Sequence, residues 1–181
     1  MTAAVLLALT LATPAPSPST FDTQTELQAL YDEMSQTVLQ AISQRDLDEM
    51  RDVLYSPDWV FVDPSGSRKT WAEWRAGAVA ALGGPKADDL TQGIRKITLD
   101  PDGATTVVNS TIVRTIVDAA GRFGTAGASH TVSETTAFRD HWVRHGDGWQ
   151  LASRQQLSAP VTSVDKASFD TEEKWESRHL D

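Results

Sequence analysis

The fold of this chain is decided by the stretch Ala137-Phe138-Arg139-Asp140-His141-Trp142-Val143-Arg144-His145-Gly146-Asp147-Gly148-Trp149-Gln150-Leu151. Gly reaches the positive φ that a tight hairpin turn needs, and Asp is well tolerated beside it. The pattern therefore predicts an antiparallel hairpin with strands from about 129 to 145 and from 149 to about 157. Since a strand as long as the first one must coil or bulge, we expect a curved sheet with one concave face.

Three helices are predicted before this sheet. From 21 to 43, apolar residues recur at spacings of three and four, and 23–26 has the pattern of an N-terminal capping box. A second, short helix is predicted from 46 to 55 and ends before Pro57. A third helix is predicted from 70 to 82, with Thr70 and Glu73 as its cap.

The other predicted elements are strands joined by turns. They span 58–63, 93–99 and 104–117, and turn signals lie at 64–67, 100–103 and 118–121. The small residues of 123–128 indicate a loop or a weak edge. Helices followed by long antiparallel strands are typical of an α+β domain with its helices packed on one face of the sheet.

Composition excludes several classes of function. The 181 residues suffice for one domain with a core, and the net charge of −9 argues against nucleic acid and anionic membrane as partners. The absence of cysteine excludes disulfides and thiolate chemistry. The four histidines, at 130, 141, 145 and 179, lack metal-ligand spacing, and no nucleotide-binding or nucleophile motif is present. No metal and no cofactor are therefore predicted.

The two ends differ from the body of the chain. Residues 1–20 combine a short apolar run with a Pro/Ser spacer, which favours an export signal although the positive start is missing. The alternative is a disordered cytoplasmic leader. Residues 161–181 are predicted to be a solvated acidic tail, with a regulatory or partner-binding tail as the alternative. The domain proper is expected to span 21–160.

Polar side chains on the late hairpin are candidates for a site. Arg139 and His141 alternate on one face, which we interpret as the concave face. His141 could donate to a developing negative charge or accept a proton, and Arg139 could hold a carboxylate. The alternatives are a histidine bonded within the sheet and a surface salt bridge. Arg154 and Gln156, on the last strand, are further candidates for the pocket.

Aromatic residues supply the expected core. Trp59, Phe61, Trp71 and Trp74 are interpreted as core residues, some of which line a pocket, because an aromatic wall holds a flat apolar ligand well.

Two patches resemble a known family. Val60-Phe61-Val62-Asp63-Pro64-Ser65-Gly66-Ser67 resembles the first-strand motif of ketosteroid isomerases, in which an Asp before Pro-x-Gly is the general base. The hairpin from 139 to 156 resembles the final strands of the wider nuclear transport factor 2-like superfamily, which also includes polyketide cyclases. The resemblance covers about 21–160. It implies a cone, in which a curved sheet surrounds a deep pocket, often with dimerisation through the outer sheet face.

The same resemblance implies roles for single residues. Asp63 matches the general base, although an Asp before Pro also commonly bonds backbone amides in a turn. His141 falls where the isomerases have a protonated Asp in the oxyanion hole, and its neighbour Asp140 would then point to the other face. Tyr31 is the candidate for the Tyr of that oxyanion hole. The replacement by His argues against steroid isomerisation itself.

These patterns predict a cone domain that binds a small apolar or carboxylate-bearing ligand, and a homodimer. One function is acid–base catalysis of the isomerase or cyclase type, with Asp63 as base and His141 as its polar partner. The alternative is a non-catalytic ligand-binding or dimerisation module, and a third is a partner surface on the outer sheet face that includes Trp142 and Arg144. The predicted ligand-binding residues are Tyr31, Trp59, Phe61, Trp74, Arg139, Arg154 and Gln156.

Overall fold

A computed structural model describes residues 20–44, 47, 48, 51, 54–81 and 86–164 of the chain. It has an α+β architecture in which two short strands lie between two helices along the chain, and a run of long strands follows the second helix. The elements in chain order are α1 (Thr20–Gln44), β1 (Tyr55–Val62), β2 (Arg68–Thr70), α2 (Trp71–Ala81), β3 (Asp89–Asp100), β4 (Gly103–Val117), β5 (Ser129–His145), β6 (Gly148–Gln156) and β7 (Val161–Val164).

The seven strands form one open, curved sheet. Its order is β2-β1-β6-β5-β4-β3, and β7 pairs with β5 outside this path. β1 runs parallel to β6, while the other pairs are antiparallel, so the sheet is mixed and the prediction of an antiparallel sheet is wrong in this pair. A parallel pair needs a long crossover, and no local pattern indicates which distant strand β1 joins.

Irregular pairings bend the sheet where curvature was expected. Register shifts lie between Ile94 and Lys96 on β3 and between His141 and Trp142 on β5. The predicted hairpin is confirmed, and Gly146 takes the positive φ of 58° at its turn. A bulge kinks a strand and increases its twist, which makes one face of the sheet concave.

The core lies between α1 and this concave face. α1 presents Leu27, Tyr31 and Met34, each fully buried, to the sheet. The sheet contributes residues that are equally shielded from solvent, namely Ala104, Val108, Trp142 and Leu151. Burial of apolar area contributes about 25 cal/mol per Å², so this contact stabilises the fold.

The predicted helices are found only in part. α1 matches the expected span, but it starts before the proposed capping box, so Thr23 lies inside the helix and does not cap it. The box at Thr70 and Glu73 is confirmed, since the Thr70 N–H donates to Glu73 Oε2 (2.8 Å) and the Glu73 N–H donates to Thr70 Oγ1 (3.4 Å). The helix predicted from 46 to 55 lies largely outside the described residues.

Several strand boundaries differ from those predicted. β1 starts at Tyr55 and includes Pro57, which a register shift between Tyr55 and Val60 accommodates. β2 was not predicted, and residues 161–164, assigned to the tail, form β7. The predicted leader, up to residue 19, and the remainder of the acidic tail lie outside the described residues. Among the helices that are described, none is long and apolar enough to cross a membrane.

A side chain of α1 occupies the outer edge of β3. Gln28 Nε2 donates to the carbonyl oxygen of Gln92 (2.8 Å), and Gln28 Oε1 accepts from the N–H of Ile94 (3.1 Å). The amide of Gln28 therefore stands where the peptide group of a neighbouring strand would stand, and it satisfies two backbone groups at the sheet margin.

The loop between β4 and β5 is organised by Asp118. Its carbonyl oxygen accepts from Gly121 (3.2 Å) and Gly127 (2.8 Å), which confirms the predicted turn at 118–121. Its side-chain Oδ2 accepts from the N–H of Phe123 at 2.6 Å. That hydrogen bond is the main cause that lowers the pKa of Asp118, and the neighbouring His130 and Arg122 act in the same direction.

This loop should open in acid. Because the pKa of Asp118 is lower in the folded protein than the ordinary value of about 3.9, its contribution is complete above that value and is lost as the pH falls through the folded pKa. We expect hydrogen-exchange protection of the Phe123 amide to fall in acid in the native protein. In Asp118→Asn, that pH dependence should disappear, and unchanged acid sensitivity in the variant would assign the effect to another group.

Candidate functional site

The concave face carries the even-numbered side chains of β5. Phe138, Asp140 and Trp142 point toward α1, and the last two are fully buried. Arg139 and His141 point to the opposite face, so their predicted position in the hollow is wrong by one residue of register. Trp142 is buried, so the predicted outer surface cannot include it.

A buried polar network joins α1 to the sheet. Tyr31 Oη donates to Asp140 Oδ2 at 2.6 Å and accepts from Trp142 Nε1 at 3.0 Å. The hydroxyl of Thr106 lies 2.7 Å from Tyr31 Oη, and because the only proton of Tyr31 goes to Asp140, Thr106 is the donor there. Burial raises the pKa of Tyr31 well above its ordinary value, so its hydroxyl stays protonated.

Arg154 on β6 closes this network. Its Nε donates to Asp140 Oδ1 (2.9 Å) and its Nη2 to Asp140 Oδ2 (2.7 Å), which is a bidentate pair. Nη2 also donates to Gln92 Oε1 at 2.9 Å. Desolvation lowers the pKa of Arg154, but attraction to Asp140 outweighs it and leaves that pKa above the ordinary range. The pair is therefore ionised and has no net charge.

A cavity of about 300 Å³ lies beside Arg154. This volume is at the small end of the range for small-molecule sites. Its helix-side wall is apolar, and its sheet-side wall combines aromatic and polar residues. The apolar and aromatic residues of the wall include Val38, Ile42, Leu47, Trp74, Ala78 and Phe138.

Two residues that line this cavity carry a hydrogen-bond donor without a partner among the described residues. Arg154 lines it, and its Nη1 donates to no residue that the structure describes, whereas Nε and Nη2 are both engaged. Tyr55 also lines the cavity, and its hydroxyl likewise has no partner within the described ranges. Burial is the main cause that raises the pKa of Tyr55 to about 12, so it remains a donor at neutral pH.

A second ion pair lies in the cavity wall nearer to solvent. Arg114 Nη1 and Glu134 Oε2 are 2.7 Å apart, with side chains that are 28% and 40% exposed, against 13% for Arg154. Strand pairing places Ile112 opposite Glu134, and Gln92 beside Ser110. The pair therefore sits about two residues, or roughly 7 Å, along the sheet from the contact between Gln92 and Arg154.

The predicted aromatic residues lie beside the cavity, and one of them lines it. Trp59 is 3% exposed and packs against Tyr55, Phe61, Trp71 and Trp74 at ring-centroid distances of 5.0 to 6.3 Å. Of the predicted set, Trp74 reaches the cavity wall, whereas Trp59 and Phe61 support it from behind.

Asp63 is held in a turn at the end of β1. Its Oδ1 accepts from the N–H groups of Ser65 (2.9 Å) and Ser67 (3.0 Å) and from the Ser65 hydroxyl (2.5 Å). The hydroxyl bond is the largest of the causes that lower the pKa of Asp63. Asp63 does not line the cavity, and a lowered pKa makes a carboxylate a weaker base.

The remaining predicted residues lie at the margins of the site. His141 Nδ1 is 3.9 Å from Asp100 Oδ2 on the outer face, and Arg139 Nη1 donates to Gln155 Oε1 at 3.0 Å. Gln156 faces inward but donates to the carbonyl oxygen of Ser158 at 2.8 Å and does not line the cavity. Thus Tyr31 and Arg154 share the buried network, while Asp63, Arg139 and His141 do not converge on it.

Sequence reasoning missed Tyr55, Gln92 and the inward position of Asp140. Phe138 and Trp142, both even-numbered, were the available signal of register, since two large apolar residues on one face mark the buried side. The sequence predicts a helix at Tyr55, and the strand predicted from 93 to 99 begins one residue after Gln92. Among the described residues, no group of three His, Asp or Glu side chains could hold a metal ion.

Comparison with known proteins identifies relatives of this fold. A family model for a SnoaL-like domain matches residues 23–155. The chain is similar to the crystal structure of a nuclear transport factor 2-like protein of unknown function from Shewanella oneidensis MR-1, at 15% identity and a TM-score of 0.51, over 74% of this chain and 98% of that one. The search of curated proteins gave no match.

Two further solved structures are similar at lower TM-scores. One is a nuclear transport factor 2-like superfamily protein from Salmonella enterica serovar Typhimurium LT2. It has 18% identity and a TM-score of 0.48, and the match covers 77% of this chain and 94% of that one. The other, from Rhodospirillum rubrum, is described as of unknown function in nutrient uptake, at 24% identity and a TM-score of 0.44, covering 72% and 97%. Such likenesses concern the fold alone.

Proposed function

The chain belongs to the family of SnoaL-like domains within the nuclear transport factor 2-like superfamily, and on this premise we propose that it binds a small, largely apolar molecule in the cavity beside Arg154. The observation that carries the proposal is a cavity with an apolar helix-side wall that is also lined by Arg154 and Tyr55, whose Nη1 and Oη have no partner among the described residues. A concave apolar site with few convergent polar groups is the usual form of a ligand site.

The geometry supports ligand binding better than it supports acid–base catalysis with Asp63 as base and His141 as its partner. Neither Asp63 nor His141 lines the cavity, and the only proton of Tyr31 is directed to Asp140. Tyr31 is therefore not free to donate to a ligand, as an oxyanion-hole Tyr must. The predicted homodimer and the predicted export of the protein stay predictions.

A bulky substitution in the cavity wall tests this proposal. Ala78 lines the cavity from α2, so Ala78→Phe should fill part of it, and we expect the affinity for 2-acetylnaphthalene to fall at least about tenfold in calorimetric titration. Ala72, exposed on the same helix, provides the matched control Ala72→Phe, which should bind the probe as the native protein does. Equal loss in both variants, or none in either, would exclude the cavity as the site.

A further inference from the structure

The surroundings of Arg154 in the cavity wall combine a free hydrogen-bond donor with a neutralised charge. Arg154 offers a free Nη1, yet its charge is neutralised by Asp140, which is fully buried behind it. The ring of Phe138, 4.8 Å from the guanidinium carbon, covers another side of the same group. A ligand atom that reaches Arg154 therefore meets a hydrogen-bond donor inside a pair without net charge.

The second donor in the cavity wall is the uncharged hydroxyl of Tyr55. Tyr55 lines the same cavity as Arg154, and its hydroxyl has no partner within the described ranges. The pKa of about 12 keeps the hydroxyl protonated. Gln92, the other polar residue here, uses its Oε1 to accept from Arg154 and its Nε2 to donate to Ser35 (3.2 Å).

The rest of the cavity adds no net charge. Arg114 and Glu134 pair with each other, and the remaining polar wall residues, Ser110 and Thr136, are neutral hydroxyls. A carboxylate that entered would lose its hydration without gaining an uncompensated cation, which is costly in a buried site. A carbonyl oxygen is cheaper to desolvate and can accept from two donors at once.

Resting on the proposed function, we propose that the cavity selects uncharged molecules that present a hydrogen-bond acceptor, and rejects carboxylates of the same shape, because Asp140 cancels the charge of Arg154. Arg154 and Tyr55 are the binding residues. Asp140 is a positioning residue that acts through Arg154 and sets the charge that a ligand meets. The carboxylate-bearing ligand considered from the sequence is thereby replaced by a neutral one.

Three naphthalene probes of matched size separate the possibilities by calorimetric titration at neutral pH. In the native protein, 2-acetylnaphthalene should bind at least about tenfold more tightly than 2-naphthoate, because the carboxylate is costlier to desolvate. It should also bind more tightly than 2-ethylnaphthalene, which lacks an acceptor. In Asp140→Asn, the uncompensated guanidinium should reverse the order and favour 2-naphthoate by about tenfold. A purely structural role of Asp140 would weaken all three probes alike.

Tyr55→Phe provides a second test in case Asp140→Asn does not fold. The near-isosteric change should bring the affinity for 2-acetylnaphthalene down toward that for 2-ethylnaphthalene without altering the latter. Binding of 2-naphthoate as tightly as the ketone by the native protein, or an unchanged ratio in a folded Asp140→Asn, overturns the charge selectivity and leaves the proposed function standing. If none of the three probes binds, the proposed function itself fails, and the selectivity with it.

Discussion

Asp140→Ala is expected to destabilise the protein by about 3–5 kcal/mol, because it leaves Arg154 charged and buried without its partner. Asp140 is fully buried, and the side chain of Arg154 is only 13% exposed. Tyr31 loses the acceptor of its only proton in the same step. Since small domains are stable by roughly 5–15 kcal/mol, this one change removes a large fraction of the free energy of unfolding.

Urea unfolding followed by circular dichroism measures this loss. Asp58→Ala is the matched control, because it removes the same carboxyl group from an exposed position on β1 and should change stability by less than about 0.5 kcal/mol. The double variant Asp140→Leu with Arg154→Met removes both charges and should recover much of the loss. A loss in Asp140→Ala no larger than that of the control would mean that the pair does not matter for folding.

Trp142→Ala should cost a similar amount, about 3–5 kcal/mol, by creating a void at the centre of the core. Trp142 is fully buried, and its ring packs edge-on against Tyr31 at a centroid distance of 5.3 Å. The substitution also removes the donor that Tyr31 Oη accepts from at 3.0 Å. Apolar packing and the polar network are therefore lost together.

Trp149 offers the comparison for this substitution on the same hairpin. It is partly exposed, stacks under Arg144 at 3.8 Å and donates to Glu26 Oε2 at 2.9 Å. Trp149→Ala should cost only about 1 kcal/mol, since surface contacts of this kind contribute little. Thermal unfolding of both variants ranks them, and a larger loss at Trp149 would contradict the assignment of Trp142 to the core.

The positions of the helices and strands could be predicted from the sequence better than the pairing between the strands. The periodicity of α1, the capping box of α2 and the hairpin turn at Gly146 are local signals, and local signals survive in any context. The parallel pairing of β1 with β6 joins residues that are distant in the chain, and no local pattern encodes it. The same reason explains why β2 and β7, which are short and depend on neighbours, were not predicted.

The site shows how much depends on one residue of register. Both faces of β5 carry polar side chains, so alternation alone did not distinguish Arg139 and His141 from Asp140. Arg154 and Trp74 both line the cavity. Arg154 was a candidate by alternation along the last strand, and Trp74 by its place on the apolar stripe of its helix; their predicted role in ligand binding stays a prediction. Tyr55 lies at the site because β1 starts at residue 55, three residues before the predicted start, and because Tyr55 pairs with Leu151 on β6.

The hydrogen bonds from Gln28 to the margin of β3 have a consequence for how molecules of this protein meet in solution. An uncovered edge strand as long as β3 exposes unpaired backbone groups that can pair with an extended segment of another molecule. Repeated edge-to-edge pairing of this kind leads to aggregation. With Gln92 and Ile94 already matched by a glutamine side chain, an incoming chain finds the central positions taken. The side chain of Gln28 thus blocks edge-to-edge pairing at two positions of β3, in addition to the packing of α1 on the core.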